Sequence, residues 1–563
     1  MRLTEMIPSM PIDVQRSTRR DRGRVLTSAD AGKILPLKYI PMLREDAVRR
    51  GKVRVNLEMM ETAEMLMNGI GVNVMAHYVP MLAFDRFNGS MEELNRSYQG
   101  ETGIGGSVIP YFESNKVYNP SSGNVVSYDP GTVVDTLVFE DETYLFYQTM
   151  GIHYEGSGIN TTVVEAYNAI VNHRRKARSA SLPLRNAFDH RLAEAFWGLD
   201  NNHIVPDFDQ KLIDGEVALN GLTFKAPVKS RIAGRINADW NSNYTYTNSQ
   251  RMAPAGENNA NGATYDANEV ALDGSSGVWT WDDVWAELTS GGNATMSLAD
   301  IDQAKKTTAF AKLRSLYDGI EDEHIIDLLM EGIRVPEEAM KQPILLAKQS
   351  TMIGYNQRYA TDAANLDTSV TNGYATVDLN LRTPQMNTGG VILITAEIVP
   401  EQMWERKKDY YLYNTSADNL PNYLRDYLDP EKVSVVKNDH LDVLHTTPNG
   451  TFGYAPLNHE YQRDMVNVGG KYYRPANDAF DEDRAKIWTV ETTNPTLSDD
   501  FYLVSSLHKK VFSDQVADSF EITCISDVEI TGNTVFGEGL IESDTTSDYE
   551  AITAEVDSAR IDK

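Results

Sequence analysis

Alternation of apolar and polar residues is the clearest regular pattern in this chain. From Val53 to Met59 it runs without a break, and this period of two predicts a half-buried β-strand. A second alternating segment runs from Ile70 to Tyr78, and Pro80 ends the strand that it predicts. The β-branched run Val391–Val399 lies between a glycine pair and a proline, which is typical of a buried strand. Shorter β-rich segments predict further strands at Thr132–Phe139, Lys486–Val490 and Phe520–Ile525.

Helices are predicted where apolar residues recur every three to four positions. Residues 161–178 carry such a stripe, and they end in a basic cluster that suits the C-terminus of a helix. Ser90 with Glu93 three residues later has the spacing of a capping box, which predicts a short helix from Ser90 to Tyr98. Further helices are predicted at 186–197, 297–317 and 321–331.

The order of these elements narrows the fold class. Strands occur early, in the middle and late, and long helical or irregular excursions separate them. There is no regular β-α-β alternation, which argues against a doubly wound sheet, and no fixed-period repeat, which argues against a solenoid or propeller. The pattern therefore favours a mainly β protein, an antiparallel jelly roll with long loop and helical insertions.

The composition along the chain predicts three regions. Residues 1–50 are polar and contain proline, so we expect an extended N-terminal arm. Residues 51–535 would form the jelly-roll domain, and residues 536–563 an acidic tail. The segments inserted in the domain would cover about 84–200, about 237–297 and about 298–345. The middle one is rich in Asn, Gly, Ser and Thr, which predicts a surface insertion.

The net charge of the chain limits how this protein can bind nucleic acid. With 52 Lys and Arg against 81 Asp and Glu, the chain carries −29 at pH 7. Such a field repels nucleic acid, so any contact with DNA must come from a local basic patch or from a second, basic protein.

Two basic clusters are candidates for phosphate contact. The first has one acid, Asp21, within it, and its members are Arg16, Arg19, Arg20, Arg22 and Arg24. The second is Arg174–Arg178 together with Arg185. Arginine suits phosphate binding, but both clusters could equally be solvated charge or ion pairs with nearby acids. No aromatic stacking platform accompanies either cluster, which argues against base-specific recognition.

Motifs for catalysis or metal binding are lacking. Gly103–Gly106 has no Lys-Ser/Thr pair downstream and predicts a turn, and no Gly-x-Ser-x-Gly elbow is present. His440 and His445 are five apart, off the helical ligand spacing, and Asp207 with Asp209 lacks the rest of a calcium loop. We therefore expect no enzyme, no catalytic residue, no cofactor and no metal.

The cellular setting is predicted from what the sequence lacks. Cys524 is the only cysteine and its neighbours predict a core position, so no intrachain disulfide can form, as suits a reducing cytoplasm. The N-terminus has no signal peptide, and no apolar run is long enough to span a membrane.

Aromatic residues of the 237–297 segment allow two interpretations. They could pack the insertion against itself or against neighbouring subunits, or they could bind a sugar or protein on a host surface. The residues concerned are Trp240, Tyr244, Tyr246, Trp279, Trp281 and Trp285.

Short segments follow one another along the chain in an order that a known protein family shares. They are Gly32–Leu37, Pro41–Asp46, Val74–Pro80, Tyr167–His173, 298–345 ending in Glu337–Pro343, Gly389–Pro400, Phe452–Pro456, Glu460–Gln462, Leu497–Phe501 and Asp518–Phe520. In this order they resemble the major capsid proteins of the Microviridae, in particular the gokushovirus-like and related marine branches. They span residues 32 to about 525, and no match falls in 237–297 or in the acidic tail. Arg44-Glu45 departs from the Pro-Gly of the family pattern, so the turn there could differ.

This resemblance implies a single eight-stranded jelly roll and a structural role in the virion of a bacteriophage, assembled in the bacterial host cytoplasm. It implies a T=1 icosahedral shell of about sixty copies around a circular single-stranded DNA genome. It also implies a small basic DNA-binding protein and a pilot or spike protein as partners. A host receptor could bind through 237–297.

Two other classes of function stay open at this point. One is a carbohydrate-binding β-sandwich in which the aromatic residues of 237–297 line a glycan groove. The other is a phage spike or adhesin. Both would act as monomers or small oligomers, whereas a capsid protein would form closed particles.

Overall fold

The computed structural model describes separate stretches of the chain. These are residues 16–62, 66–127, 145–153, 158–179, 181–197, 204–206, 222–225, 264–265, 269–271, 278–280, 285–288, 340–359, 369–402, 406–417, 420–428, 433–461, 469, 486–488, 494–504 and 507–536. The chain forms two compact units, one from Met1–Phe208 with Arg334–Lys563 and one from Asp209–Ile333.

Strands make up most of the regular structure among the described residues. In the larger unit they are β1 (Ser17–Ala29), β2 (Ile34–Met42), β3 (Ala47–Thr62), β4 (Ile70–Pro80), β5 (Lys116–Asn119) and β6 (Asn124–Ser127). The smaller unit contains β7 (Leu222–Lys225), β8 (Thr264–Tyr265), β9 (Glu269–Ala271), β10 (Val278–Thr280) and β11 (Trp285–Leu288). The larger unit continues with β12 (Ile344–Met352), β13 (Gly354–Tyr359), β14 (Ser369–Leu381), β15 (Gly390–Pro400), β16 (Val433–Lys437), β17 (Thr451–Pro456) and β18 (Phe520–Gly532).

The helices of the described residues are mostly short. They are α1 (Met91–Gln99), α2 (Thr162–Arg178), α3 (Tyr410–Tyr413), α4 (Tyr423–Leu428), α5 (Asn438–Leu441) and α6 (Asp499–Tyr502). Single 3-10 turns cover Met81–Ala83, Asp85–Phe87 and His459–Tyr461.

Two antiparallel sheets organise the larger unit. One has the order β1-β18-β3-β14-β13, and the other has the order β12-β4-β15-β2. Smaller hairpins join β5 to β6 and β16 to β17, and the smaller unit has sheets β10-β9-β8 and β11-β7. The fold is mainly β with antiparallel sheets, as the sequence predicts.

The main core is built from the apolar halves of the alternating strands. In β3, the side chains of Val53, Val55 and Leu57 are buried while the residues between them face outward. They belong to one cluster with apolar side chains of β4 and β15 such as Val74 and Ile394. Strands from both sheets therefore contribute to a single hydrophobic core, which removes their apolar faces from water.

The two sheets differ in what covers their other faces. Strands β4 and β15 are buried at almost every position, because α2 packs on the side away from the main core. The hydroxyl of Tyr167 on α2 donates to the Ile34 carbonyl at 2.7 Å and accepts from the Ala193 N–H at 2.8 Å. In the five-stranded sheet, alternate residues of β1, β3, β14 and β18 are exposed or half-buried instead. The outer face of this sheet is therefore open to solvent.

Several predicted elements are confirmed. The strands predicted at Val53–Met59, Ile70–Tyr78, Val391–Val399 and Phe520–Ile525 lie within β3, β4, β15 and β18. The helix predicted over 161–178 is α2, and the one at Ser90–Tyr98 is α1. The Ser90 side chain accepts from the Glu93 N–H, as the capping spacing predicts.

The predicted helix at 186–197 is wrong. The Asn186 and Asp189 side chains accept hydrogen bonds from the backbone N–H groups of Phe188 and Arg191, which favours turns over a helix. Beyond them, Glu194 forms a β-bridge with Lys33, and Phe196 forms one with Leu503. This segment therefore runs along β2 and α6 as extended chain.

The predicted strand at Lys486–Val490 is wrong over its described part, 486–488. The Asn68 side chain takes the place of a neighbouring strand, because it donates to the Trp488 carbonyl at 2.7 Å and accepts from the Trp488 N–H at 2.7 Å.

The N-terminal arm is also corrected. From Arg16 onward, the stretch that we expected as an extended arm contains β1, β2 and the start of β3, all within the two large sheets.

Several predictions lie outside the described residues, namely the strand Thr132–Phe139, the helices at 297–317 and 321–331, most of 237–297, and the tail beyond Phe536.

Replacing Gly390 with alanine is expected to lower the free energy of unfolding by about 1–3 kcal/mol, because the added methyl group overpacks a crowded site. A Cβ atom at Gly390, where β15 begins, would lie 2.3 Å from the Val79 carbonyl oxygen. Urea denaturation followed by circular dichroism measures the change. The control is Gly354→Ala, where the nearest atom would be 3.8 Å away. Equal losses in the two variants would contradict the steric argument.

Candidate nucleic-acid interface

The pleat of β1 divides the predicted arginine cluster between two faces of the sheet. Arg20, Arg22 and Arg24 are exposed on the outer face, while Arg19 and Asp21 are half-buried on the opposite face. Because side chains alternate along a strand, residues that are adjacent in sequence cannot share one surface here. The cluster therefore does not act as one patch.

Arg19 has a structural role that the sequence does not reveal. Its guanidinium donates to a carboxylate oxygen of Asp46 at 2.7 Å and to the Pro41 carbonyl at 2.8 Å. Asp46 is buried, and its other hydrogen bond comes from the Leu43 N–H. Arg16 lies at the start of the sheet and donates to the side chain of Gln385 at 2.7 Å. Arg19 therefore holds the β2–β3 turn against β1, and it does not belong to the outer surface.

Cations from β3 join the outward arginines of β1. Strand β18 lies between these two strands, and the register aligns Arg24, Ile525 and Arg54 in one row across the sheet. The next rows align Arg22, Asp527 and Lys52, and then Arg20, Glu529 and Arg50. Together these rows form what we call the cationic face: Arg20, Arg22, Arg24, Arg50, Lys52 and Arg54.

Sequence reasoning missed the β3 half of the cationic face. The alternation that predicts β3 has Arg54 as one of its polar positions, and Lys52 and Arg50 precede it at the same spacing of two residues. We used this alternation only to locate a strand. The three cations lie about thirty residues after the β1 arginines, and β18 brings the two groups together from the far end of the chain. A search for basic residues at every second position of a strand would have found them.

The cationic face is a shallow surface with an excess of positive charge. A concavity of about 410 Å³ is lined by Arg20, Arg50, Lys52, Arg54, Ile525, Asp527 and Glu529. Three carboxylates are paired on this face, since Asp527 lies 3.2 Å from Arg22, Glu529 lies 3.6 Å from Arg20, and Asp378 lies 2.7 Å from Arg54. Six cations against three carboxylates leave three positive charges in excess on a chain whose net charge is −29.

The unpaired cations of this face are the ones best placed for a ligand. Within the described part of the chain, Arg24, Arg50 and Lys52 form no ion pair, and all three are exposed. By contrast, Arg54 donates two hydrogen bonds, of 2.7 and 2.9 Å, to the Asp378 carboxylate. These bonds raise the pKa of Arg54 and lower the pKa of the Asp378 carboxyl, so this pair stays charged.

The charge does not extend over the whole sheet. Beyond the row of Arg24, the same outer face has a second groove of about 610 Å³ that includes Glu58, Glu521 and Tyr374. The outer surface is therefore cationic at the end near the start of β1 and acidic at the other end. This polarity would place a polyanion on one half of the sheet only.

Three arginines of the second basic cluster form ion pairs that are largely buried. Arg174 on α2 binds both carboxylate oxygens of Glu397 on β15, and its guanidinium lies 4.8 Å from the ring centre of Phe196. Arg175 donates to Glu194 at 2.8 Å, and Arg185 lies 3.2 Å from Asp189. These arginines hold α2 and the following loop to the four-stranded sheet, which matches the ion-pair interpretation of this cluster.

Other motifs also have structural explanations. Gly103–Gly106 forms a turn in which the Gly106 N–H donates to the Gly103 carbonyl at 3.0 Å. Cys524 is fully buried, and its burial raises the pKa of the thiol to about 11. Burial lowers the pKa of His440 to about 4. Asp207 and Asp209 lie outside the described residues.

The described residues contain no group of three or more His, Cys, Asp or Glu side chains arranged to hold a metal ion. No helix among them is both long enough and apolar enough to cross a membrane.

The fold and the site thus define a mainly antiparallel β protein with a cationic patch on one open sheet face. No protein-family model matches the sequence, and no curated protein is significantly similar to it.

Proposed function

We propose that this protein is the major capsid protein of a small phage, a jelly roll that self-assembles into a T=1 icosahedral shell around single-stranded DNA. The observation that carries the proposal is the nested order of strand pairing. Sequence resemblance to the Microviridae capsid proteins supports it independently.

The nested pairing is typical of a jelly roll. Among eight long strands, the first pairs with the last (β1 with β18), the second with the seventh (β2 with β15), the third with the sixth (β3 with β14) and the fourth with the fifth (β4 with β12). A long antiparallel hairpin that rolls up on itself has this order, and it then splits into two four-stranded sheets with Greek-key connections. Here β13 adds a fifth strand at the edge of the first sheet.

The cationic face favours a shell over the other uses of a jelly roll. Viral capsid proteins and lectins both use this architecture, so the fold alone does not separate them. A glycan site needs aromatic platforms with neutral polar groups, whereas the rows of Arg and Lys on β1 and β3 suit phosphate groups. We therefore place the cationic face toward the genome, and the partners would include a small basic protein that neutralises the remaining phosphate charge.

The other interpretations rest mainly on residues 237–297. In this segment the aromatic residues Trp240, Tyr244, Tyr246 and Trp281 lie outside the described residues, and Trp279 and Trp285 are described only as part of β10 and β11. Contact with a host receptor through this segment therefore stays a prediction. So do the carbohydrate-binding and adhesin alternatives.

Electron microscopy of the purified protein, expressed together with the neighbouring phage genes, tests the proposed function. We expect uniform round shells of about sixty subunits, because closed point-group symmetry lets each copy satisfy the same contacts. Particles without closed symmetry, or only monomers at high concentration, would contradict the capsid function and favour the adhesin or glycan-binding alternatives.

A further inference from the structure

Two short helices present an unusual number of large apolar side chains to solvent. Six side chains of α3 and α4 are between 59 and 83% exposed. We call this set the tyrosine surface, and its members are Tyr411, Leu412, Tyr413, Tyr423, Leu424 and Tyr427. Single exposed apolar residues are ordinary, but a group of them on nearby elements is typical of an interaction site.

Hydrogen bonds join the two helices to a common turn. The side-chain amide of Asn414, which follows α3, donates to the Tyr461 hydroxyl at 3.3 Å. The side-chain amide of Asn458 donates to Asp426 of α4 at 2.8 Å. Asn458 and Tyr461 lie in the same 3-10 turn, because the Tyr461 N–H donates to the Asn458 carbonyl. The two helices that carry the tyrosine surface are therefore attached to the same turn.

The helices are also fixed locally. The Asp409 carboxylate caps α3 by accepting from the Leu412 N–H at 2.8 Å. Lys408 pairs with Asp439 of α5, and its ammonium group lies 5.2 Å from the ring centre of Tyr413. These contacts hold α3 and the Tyr413 ring in place before any partner arrives. Preorganised aromatic side chains lose little entropy on binding, which favours their use in an interface.

We propose that the tyrosine surface binds a second copy of this chain. The four tyrosines expose about 600 Å² together if each ring has roughly 200 Å² of surface. A standard interface covers about 800 Å² on each partner, so these rings would supply most of one side. Interfaces are enriched in Tyr and depleted in Lys, Glu and Asp at their centres, and none of the six side chains is charged.

The net charge of the chain limits where two copies can associate. Two chains of −29 repel each other over most of their surfaces, so association needs a contact from which charge is excluded. The six side chains of the tyrosine surface carry no charge, and the Asp426 carboxylate between them in α4 accepts from Asn458. The inference extends the proposed function, since it names a surface by which capsid subunits would contact each other, but a simple dimer would also satisfy it.

A cysteine placed on the tyrosine surface tests the contact. The natural chain has one cysteine, Cys524, which is buried, so Leu424→Cys introduces the only exposed thiol and keeps all four tyrosines. We expect maleimide labelling of this thiol to slow about tenfold or more when the full-length protein associates, because reagent is excluded from a formed interface. The control is Val516→Cys, at a side chain that is 90% exposed, whose labelling should not change.

A second measurement does not depend on the introduced thiol. The Tyr423→Ser and Tyr427→Ser double substitution should raise the protein concentration needed for half-association by about tenfold or more, because Tyr side chains often dominate interface energies. Analytical ultracentrifugation measures both the association and the size of the assemblies. Unchanged association of this variant would overturn the inference, provided that circular dichroism shows it folded.

The outcomes separate this inference from the proposed function. Closed shells in which the Leu424→Cys thiol stays fully reactive would overturn the tyrosine contact and leave the capsid function standing. Dimers that protect the thiol without forming shells would support the contact and contradict the capsid function. A thiol protected even in dilute monomer would mean that the chain covers its own tyrosine surface, which would also overturn the inference.

Discussion

Neutralising Arg24, Arg50 and Lys52 together is expected to weaken binding of single-stranded DNA about a hundredfold at 0.1 M salt. These residues are the exposed cations of the cationic face that have no ion-pair partner within the described residues. Each phosphate contact with a single strand contributes about 0.7 to the slope of log K against log salt concentration. Loss of three contacts should therefore make that slope shallower by about 2. Fluorescence anisotropy of a labelled oligonucleotide over a range of salt concentrations measures both quantities.

The matched control removes the same charge elsewhere. Lys341, Lys348 and Lys437 are exposed just before β12, on β12 and on β16, outside both basic clusters and the cationic face. Their joint substitution by glutamine changes the net charge equally, and we expect nearly unchanged affinity. An equal loss in both variants would show that net charge governs binding, and full affinity in the first variant would exclude the cationic face. Arg19 stays unchanged in these variants because its loss would break the pair with buried Asp46.

Replacing Glu397 with leucine is expected to lower the free energy of unfolding by about 3–5 kcal/mol. The Glu397 side chain is 1% exposed, and its carboxylate binds Arg174 of α2 through two hydrogen bonds. The substitution leaves the Arg174 guanidinium largely buried without its counter-charge, which is far more costly than the loss of an exposed pair. Urea denaturation followed by circular dichroism measures the change.

An exposed pair of similar geometry is the control for Glu397. Arg54 also donates two hydrogen bonds to the Asp378 carboxylate, but these two side chains are about 40–50% exposed on the open sheet face. Asp378→Leu should therefore change stability much less, because water solvates the remaining guanidinium. Adding Arg174→Met to Glu397→Leu should recover part of the loss, since no uncompensated charge is then buried. If Asp378→Leu and Glu397→Leu cost the same, burial does not determine the strength of these pairs.

The strands differ in how well local sequence predicts them. β3, β4, β15 and β18 were predicted because apolar residues mark at least one face of each strand. β1 was missed because the face that it turns inward carries Arg19, Asp21 and Gly23. These residues are accommodated by partners from other strands, since Arg19 pairs with Asp46 and Asp21 accepts from Lys38 at 2.6 Å. An inward ion pair gives no hydrophobic period, so no local pattern indicates it.

The sequence predicted only part of the candidate site, because strand pairing decides which cations share a face. Arg20, Arg22 and Arg24 were singled out as a cluster and do share a face, but Arg19 belongs to the other side. Arg50, Lys52 and Arg54 join them only because β18 inserts between β1 and β3. The cluster at Arg174–Arg178 appeared equally basic in sequence, but its carboxylate partners Glu397 and Glu194 are distant in the chain. Basic residues alone therefore do not distinguish a solvent face from a buried network.

The sequence by itself determined the mainly β class, the strands with alternating faces, the helix that Ser90 caps and the core position of Cys524. These properties depend on backbone preferences and side-chain periods over a few residues. The tertiary structure alone decided which cations share a face, which arginines are buried with acids, and which tyrosines are left exposed on α3 and α4. Strand pairing decides these, because a shift of one residue in register would turn every side chain to the other face of its sheet.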